Sequence, residues 1–310
     1  MISKGKYPGQ ASVMPLPMID LNPSDLSCVY STLYFICDHA KRYNITPVVT
    51  FDQPLWWKAT TILENEMQNS SLKCIVLRLG GFHTLMSYLG SIGHLMEGTG
   101  LKDILETVFA RNSVCHMLSG KAVARALQGH FLTNSALSCI LIDQVLGLQV
   151  EDSCENIPEE DDDNMSVLSV DSIDDTNENF SENTQTKRLT PENPVMKFVQ
   201  TSMEGLLKGE VTALEIESSE TMAEVQESIV KIAERKDQRT SQLWLMYMRM
   251  VDIVRNFIRS ERTGDWILNL QCMNAMLPYL AASGHNLYTK SLYVYLQKMA
   301  NLKKPIMTYF

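Results

Sequence analysis

The chain has 310 residues, 45% of them apolar and 20% charged, which is enough to fill a core and excludes a fibrous or wholly disordered chain. Its formal charge of −9 is local: residues 151–186 hold thirteen Asp or Glu and no Lys or Arg, so the other 274 residues carry +4, far from a nucleic-acid-binding stripe. The longest apolar stretches are interrupted by Asn134 and Asp143, or by the Ser and His around Gly90, and Met1–Pro8 lacks a secretory apolar run, so neither a membrane span nor a secretory signal is expected.

Residues 1–150 read as an α/β region passing into helices. Short apolar or β-rich runs at 14–19, 46–51 and 74–79 end at Asp20, Asp52 and Gly80-Gly81. Between and after them lie helical stretches at 25–42, 55–67 and 83–96. The first of these is expected to bury Leu26, Val29, Tyr30, Leu33, Ile36 and Cys37. Strand and helix in alternation predict a small parallel β-α-β-α-β layer. Helices at 101–110, 119–127 and 135–148 follow.

Residues 151–195 are acidic and rich in Ser and Asn, and cannot bury enough surface to offset ordering entropy, so a disordered acidic insert is expected there. Residues 196–310 read as a helical region packing on the first part. Helices are expected at 194–207, 221–236, 241–260, 266–282 and 286–302. A capping box, Thr221 to Glu224, opens the second, where Glu227 stands four residues before Lys231. Eighteen methionines are expected to fill irregular core gaps. The fold class is therefore α/β and helix-rich, with a mostly α-helical remainder after the N-terminal layer.

Open α/β sheets bind ligands at the carboxyl ends of their strands, where Asp20, Asp52 and His83 would fall. Two carboxylates and an imidazole suit a divalent cation such as Mg2+, with Asp20 and Asp52 as its ligands. The competing reading is turn and capping chemistry, since both acids precede a proline within three residues, and it outranks the metal. Gly80-Gly81 matches neither nucleotide-loop signature and is read as a turn needing a positive φ. Gly284-His285-Asn286 is read as a cap. The adjacent Trp56 and Trp57 are expected to split between core and a helix or partner contact.

Seven cysteines, at 28, 37, 74, 115, 139, 154 and 272, are scattered without a C-x-x-C pair, and the six histidines add no zinc spacing. Reduced thiols in an intracellular protein, cytoplasmic or nuclear, are the expectation. Within the acidic insert, Val167, Leu168 and Val170 form a β-prone run suited to a partner's sheet edge. Ser172, followed by Asp174 and Asp175, suits an acid-directed kinase. A solvated spacer is the plainer reading of the same composition.

Several runs resemble an abundant animal protein family. They are Ile19-Asp20-Leu21-Asn22-Pro23, the stretch from Thr50 through Asp52-Gln53-Pro54-Leu55-Trp56-Trp57 to Ala59, and Arg78-Leu79-Gly80-Gly81-Phe82-His83 through Ser87. Ser119 to Ala122, Glu261-Arg262-Thr263-Gly264-Asp265-Trp266 and Pro278 to Lys290 belong to the same resemblance, which spares only the acidic insert. The multiplicity of such proteins in animal genomes implies a repetitive, mobile-element origin. It implies no catalytic residue, and implies that relatives continue past Lys303-Lys304-Pro305, so that this chain is an incomplete version. The expected function is a non-catalytic binding module with a protein partner reached through the insert, nucleic acid being a weaker expectation, with no cofactor and no membrane. The alternative is a divalent-metal nuclease or transposase-like fragment with an incomplete site around Asp20 and Asp52.

Overall fold

Val48-Val49-Thr50-Phe51 and Val76-Leu77-Arg78-Leu79 form two short parallel strands, β1 (Val48–Phe51) and β2 (Val76–Leu79), in the computed structural model of the chain. The register sets Val48 opposite Val76 and Phe51 opposite Leu79. The structure describes residues 24–145, 194–233 and 239–302, with Val13, Pro15, Met18, Asp20 and Asn22 besides. Among them the sheet has two strands, not three. Of the expected strand at 14–19, Pro15 and Met18 are described and neither is in a strand; the other four positions lie outside the described residues. Pro15 and Pro17 lack the N–H that a ladder consumes, an obstacle that the apolar pattern outweighed in the sequence reading.

Contacts divide the chain into two units, one of residues 9–140 and 233–310 and the other of residues 1–8 and 141–232. The larger unit opens with α1 (Leu26–Arg42), whose buried face is Cys28, Val29, Leu33, Cys37 and Ala40. Leu26 and Tyr30, expected inside, are 55% and 41% exposed. They lie on the opposite edge of the apolar stripe, and the helix needs only one edge to cover the sheet lead-in. The crossover that a parallel pair requires is α2 (Gln53–Asn65), followed by a 3-10 turn at Ser71–Cys74 and, after β2, by α3 (Gly81–Leu95).

The helix expected over 101–110 stops early, as α4 (Leu101–Glu106), where the Thr107 hydroxyl donates 2.7 Å to the Ile104 carbonyl and closes the last turn. A separate α5 (Arg111–Leu118) follows, a helix that the sequence reading missed. In turn, the two helices expected at 119–127 and 135–148 are a single α6 (Val123–Val145). Gly129, which reads as punctuation, sits inside it. A Cβ there would come 2.5 Å from Met117 Cε and 2.8 Å from a Leu105 methyl, so the glycine serves close packing rather than chain reversal.

The smaller unit contributes α7 (Pro194–Lys208), α8 (Ala213–Glu217) and α9 (Glu220–Ala233). Its capping box is at Thr212 and Glu215, the Thr212 backbone N–H donating 2.6 Å to Glu215 Oε2. The box expected at Thr221–Glu224 does not form, because α9 starts one residue earlier and Ser219 Oγ accepts from the Met222 N–H instead. The Glu227–Lys231 pair closes at 2.8 Å as its spacing predicts. The acidic insert lies outside the described residues.

The larger unit resumes with α10 (Arg239–Thr263), α11 (Trp266–Ala282) and α12 (Asn286–Ala300). α11 is apolar nearly all round because it is packed on α10, α12 and α3. Met96, Met117, Met250, Met273, Met276 and Met299 are buried, so the methionines do serve as core filler. α12 reaches back to α2 and β2, which closes the unit over the end of the sheet.

Candidate functional site at the carboxyl end of the sheet

The motifs of the sequence resemblance at the sheet's carboxyl end meet α12, the end of α10 and the start of α11. Asp52, directly after β1, is the N-cap of α2, and its Oδ1 accepts from the Leu55 N–H at 3.2 Å. The next residues turn inward. Gln53 Nε2 donates 3.0 Å and Trp57 Nε1 donates 2.7 Å to the hydroxyl of Ser291 on α12, while that hydroxyl donates 2.7 Å to Leu287 O. One donor and two lone pairs are all that a serine hydroxyl has, and all are used. Trp56 is wholly buried and meets Tyr295 edge-on at 6.1 Å, and Trp266 does the same from α11 at 6.4 Å. The two neighbouring indoles thus separate as expected, one into the core and one to a helix contact.

After β2 the chain makes a second polar anchor. Arg78 lies over the Trp266 ring at 5.8 Å and donates 2.5 Å to Glu261 Oε1, which also accepts 2.7 Å from Asn269 Nδ2. Asp265 caps α11 through the Leu268 N–H at 2.9 Å. Gly80 and Gly81 have no positive φ, contrary to the sequence reading. Gly80 is extended at φ −63°, and Gly81 begins α3. What they supply is room: a Cβ on Gly80 would meet Phe51 O at 2.9 Å, and one on Gly81 would meet Glu261 Oε1 at 2.9 Å. The Glu261 carboxylate therefore rests against the first turn of α3, where the exposed N–H groups favour negative charge.

The candidate metal residues are not gathered here. Asp20 is exposed and outside any helix or strand, Asp52 is occupied as a cap, and His83 is exposed with its ring edge-on to Phe82 at 5.5 Å. Among the described residues no group of three or more His, Cys, Asp or Glu is placed to hold a metal ion. Val167, Leu168, Val170 and Ser172 lie outside the described residues. Burial pushes the Tyr288 hydroxyl upward, opposed by its hydrogen bond with Ser87 and reinforced by the Asp52 carboxylate.

Two further polar clusters escaped the sequence reading. His285, at the N-cap of α12, makes no capping bond; its Nδ1 lies 2.9 Å from Ser283 Oγ and 3.1 Å from Ser91 Oγ. Burial holds this imidazole below its ordinary range, helped by His94. Ser91 is fully buried and its hydroxyl donates 3.0 Å to Ser87 O, while the half-buried Ser283 hydroxyl lies 2.7 Å from Ser91 Oγ. The second is His130 on α6, also fully buried, with Nδ1 3.0 Å from Tyr247 OH on α10. Only a polar residue at helix-core spacing could have signalled either cluster.

A family model described as a domain of unknown function (DUF8702) matches residues 1–309. No curated protein matches the chain, and no solved structure does.

Proposed function

The chain belongs to the DUF8702 family over nearly its whole length, and we propose that it is an intracellular interaction module of repetitive-element origin that binds a protein partner rather than turning over a substrate. The observation that carries this reading is the employment of the motif residues. Asp52 is used as a helix cap, Gln53 and Trp57 are bonded to Ser291, and Arg78 is bonded to Glu261. These side chains support one another, which favours a structural over a catalytic use of them. The partner is engaged by the acidic segment, where Val167, Leu168 and Val170 supply a short β-prone run among like charges and Ser172 a site for added phosphate. The free thiols of the six described cysteines suit a reducing compartment.

The rival reading is a Mg2+-dependent nuclease built on Asp20 and Asp52. Thermal denaturation with and without Mg2+, beside a nuclease assay on single- and double-stranded DNA, separates the two. The expected result is no cleavage and a melting temperature that Mg2+ leaves alone, in the natural chain and in Asp52→Asn alike. Protein partners captured in cells should be lost when Val167, Leu168 and Val170 are changed to Asp. A Mg2+-dependent stabilisation that vanishes in Asp52→Asn, or a cleaved strand, would replace the binding module with the nuclease.

A further inference from the structure

Cys37, on the buried face of α1, and Cys74, at the exposed end of the 3-10 turn before β2, bring their Sγ atoms to 3.6 Å. Both thiols address one acceptor, each Sγ lying 3.0 Å from the carbonyl oxygen of Ser71. That shared carbonyl holds the two sulfurs on the same side of the turn. Their chemistry differs by access: Cys37 is 1% exposed, whereas Cys74 faces solvent. Closing an S–S bond of about 2.05 Å needs the sulfurs to approach by about 1.5 Å more.

We propose that Cys37 and Cys74 are a redox modification site, a dithiol that closes to an intramolecular disulfide on meeting a small disulfide oxidant such as oxidised glutathione. Cys74 is the attacking sulfur and Cys37 the resolving one. The Cys74 thiolate attacks one sulfur of the oxidant and breaks its S–S bond, giving a mixed disulfide and one glutathione thiolate. The Cys37 thiolate then attacks Cys74 Sγ, forms the protein disulfide and expels the second glutathione thiolate. Two protons leave the cysteines and are taken up by the two expelled glutathione thiolates, giving two glutathione thiols, so two electrons pass from protein to oxidant. Burial and the neighbouring Cys37 hold the Cys74 thiol above its ordinary range, with Lys41 opposing. The thiolate is therefore scarce at neutral pH, and the reaction should quicken as the pH is raised from 7 to 9.

The new bond would tie α1 to the lead-in of β2 and enclose β1 and α2 in a covalent loop. The unfolded chain then loses freedom, and the oxidised protein should melt about 5 °C or more above the reduced one, reversibly with dithiothreitol. The test is to treat the reduced full-length protein with oxidised glutathione, block remaining thiols and map peptides by mass spectrometry. The expected product joins the Cys37 and Cys74 peptides, while Cys28 and Cys272 stay reduced. Cys37→Ser should stop at a stable glutathione adduct on Cys74, and Cys74→Ser, an exposed and conservative change, should give neither adduct nor higher melting temperature. A natural chain in which Cys74 carries glutathione and no Cys37–Cys74 peptide forms would overturn the proposal. So would a linked pair that leaves the melting temperature of the oxidised chain unchanged.

Discussion

Ser291 and His130 are both wholly buried polar side chains in the larger unit, yet their surroundings treat them in opposite ways. The Ser291 hydroxyl serves Gln53, Trp57 and Leu287 O at once and has no bonding capacity left over. The His130 ring bonds Tyr247 through Nδ1, and its buried Nε2 has no partner. One hydroxyl ties α2 to α12 and is stable at any ordinary pH. The imidazole, by contrast, is held neutral by burial, which pushes its pKa down to about 4 from 6.5. Burial makes a polar group an anchor only when every bond it can make is made; otherwise it becomes a titratable weakness.

The largest expected effect is acid sensitivity at His130. Its folded pKa lies below the unfolded one, so its contribution is intact above pH 6.5 and is lost as pH falls towards about 4. The shift corresponds to roughly 3 kcal/mol across that window. Denaturant unfolding at pH 7, 5.5 and 4.5 should show this decline, and His130→Gln, which cannot protonate there, should flatten it. An unchanged slope would pass the role to His285, whose imidazole burial also pushes down.

Ser291→Ala should cost about 2 kcal/mol, because the Gln53 amide and the Trp57 indole both lose their acceptor. Adding Gln53→Leu should recover part of that loss, and a double variant no better than Ser291→Ala would mean that water replaces the hydroxyl. On the other side of the comparison, Tyr247→Phe or His130→Leu alone should cost roughly 1–2 kcal/mol by stripping a buried bond. The two together should cost less than their sum, and strict additivity in a double-mutant cycle would dissolve the pair.

Smallest is Glu261→Gln, at about 1 kcal/mol, since the Arg78 and Glu261 side chains are 27% and 31% exposed and salt screens their attraction. The loss should shrink further in high salt. An effect of several kcal/mol at every ionic strength would show that the anchor against α3 behaves as a buried one.

The strands β1 and β2 were legible because a β-rich run ending in Asp52 and an apolar run ending in Gly80 are local signals. So were α10, α11 and α12, long apolar-rich stretches separated by Gly264 and Gly284. The three-stranded layer was over-read: the run at 14–19 has apolar content but contains two prolines. α6 was split in two around 128–134, where Thr133 and Asn134 find their partners, Tyr247 and Asp252, only on α10. At the strand ends, Asp52 forms the helix cap that its place before Gln-Pro suggested. The sequence reading had no access to the Arg78–Glu261–Asn269 anchor, whose members come from three elements. Pairings over such distances leave no trace in periodicity, and neither does the approach of Cys37 to Cys74 across 37 positions.

The Gln53–Ser291 bond spans 238 positions, and Trp56 meets Tyr295 across a similar length of chain. On a ribosome adding about 5–20 residues per second, α2 emerges tens of seconds before α12. Through that interval Trp56 has no Tyr295 to close over it, and the first half of the unit holds an unfinished core. Nascent-chain pausing near residue 240 would lengthen this exposure, so chaperone contact during synthesis should concentrate on the two indoles at Trp56 and Trp57.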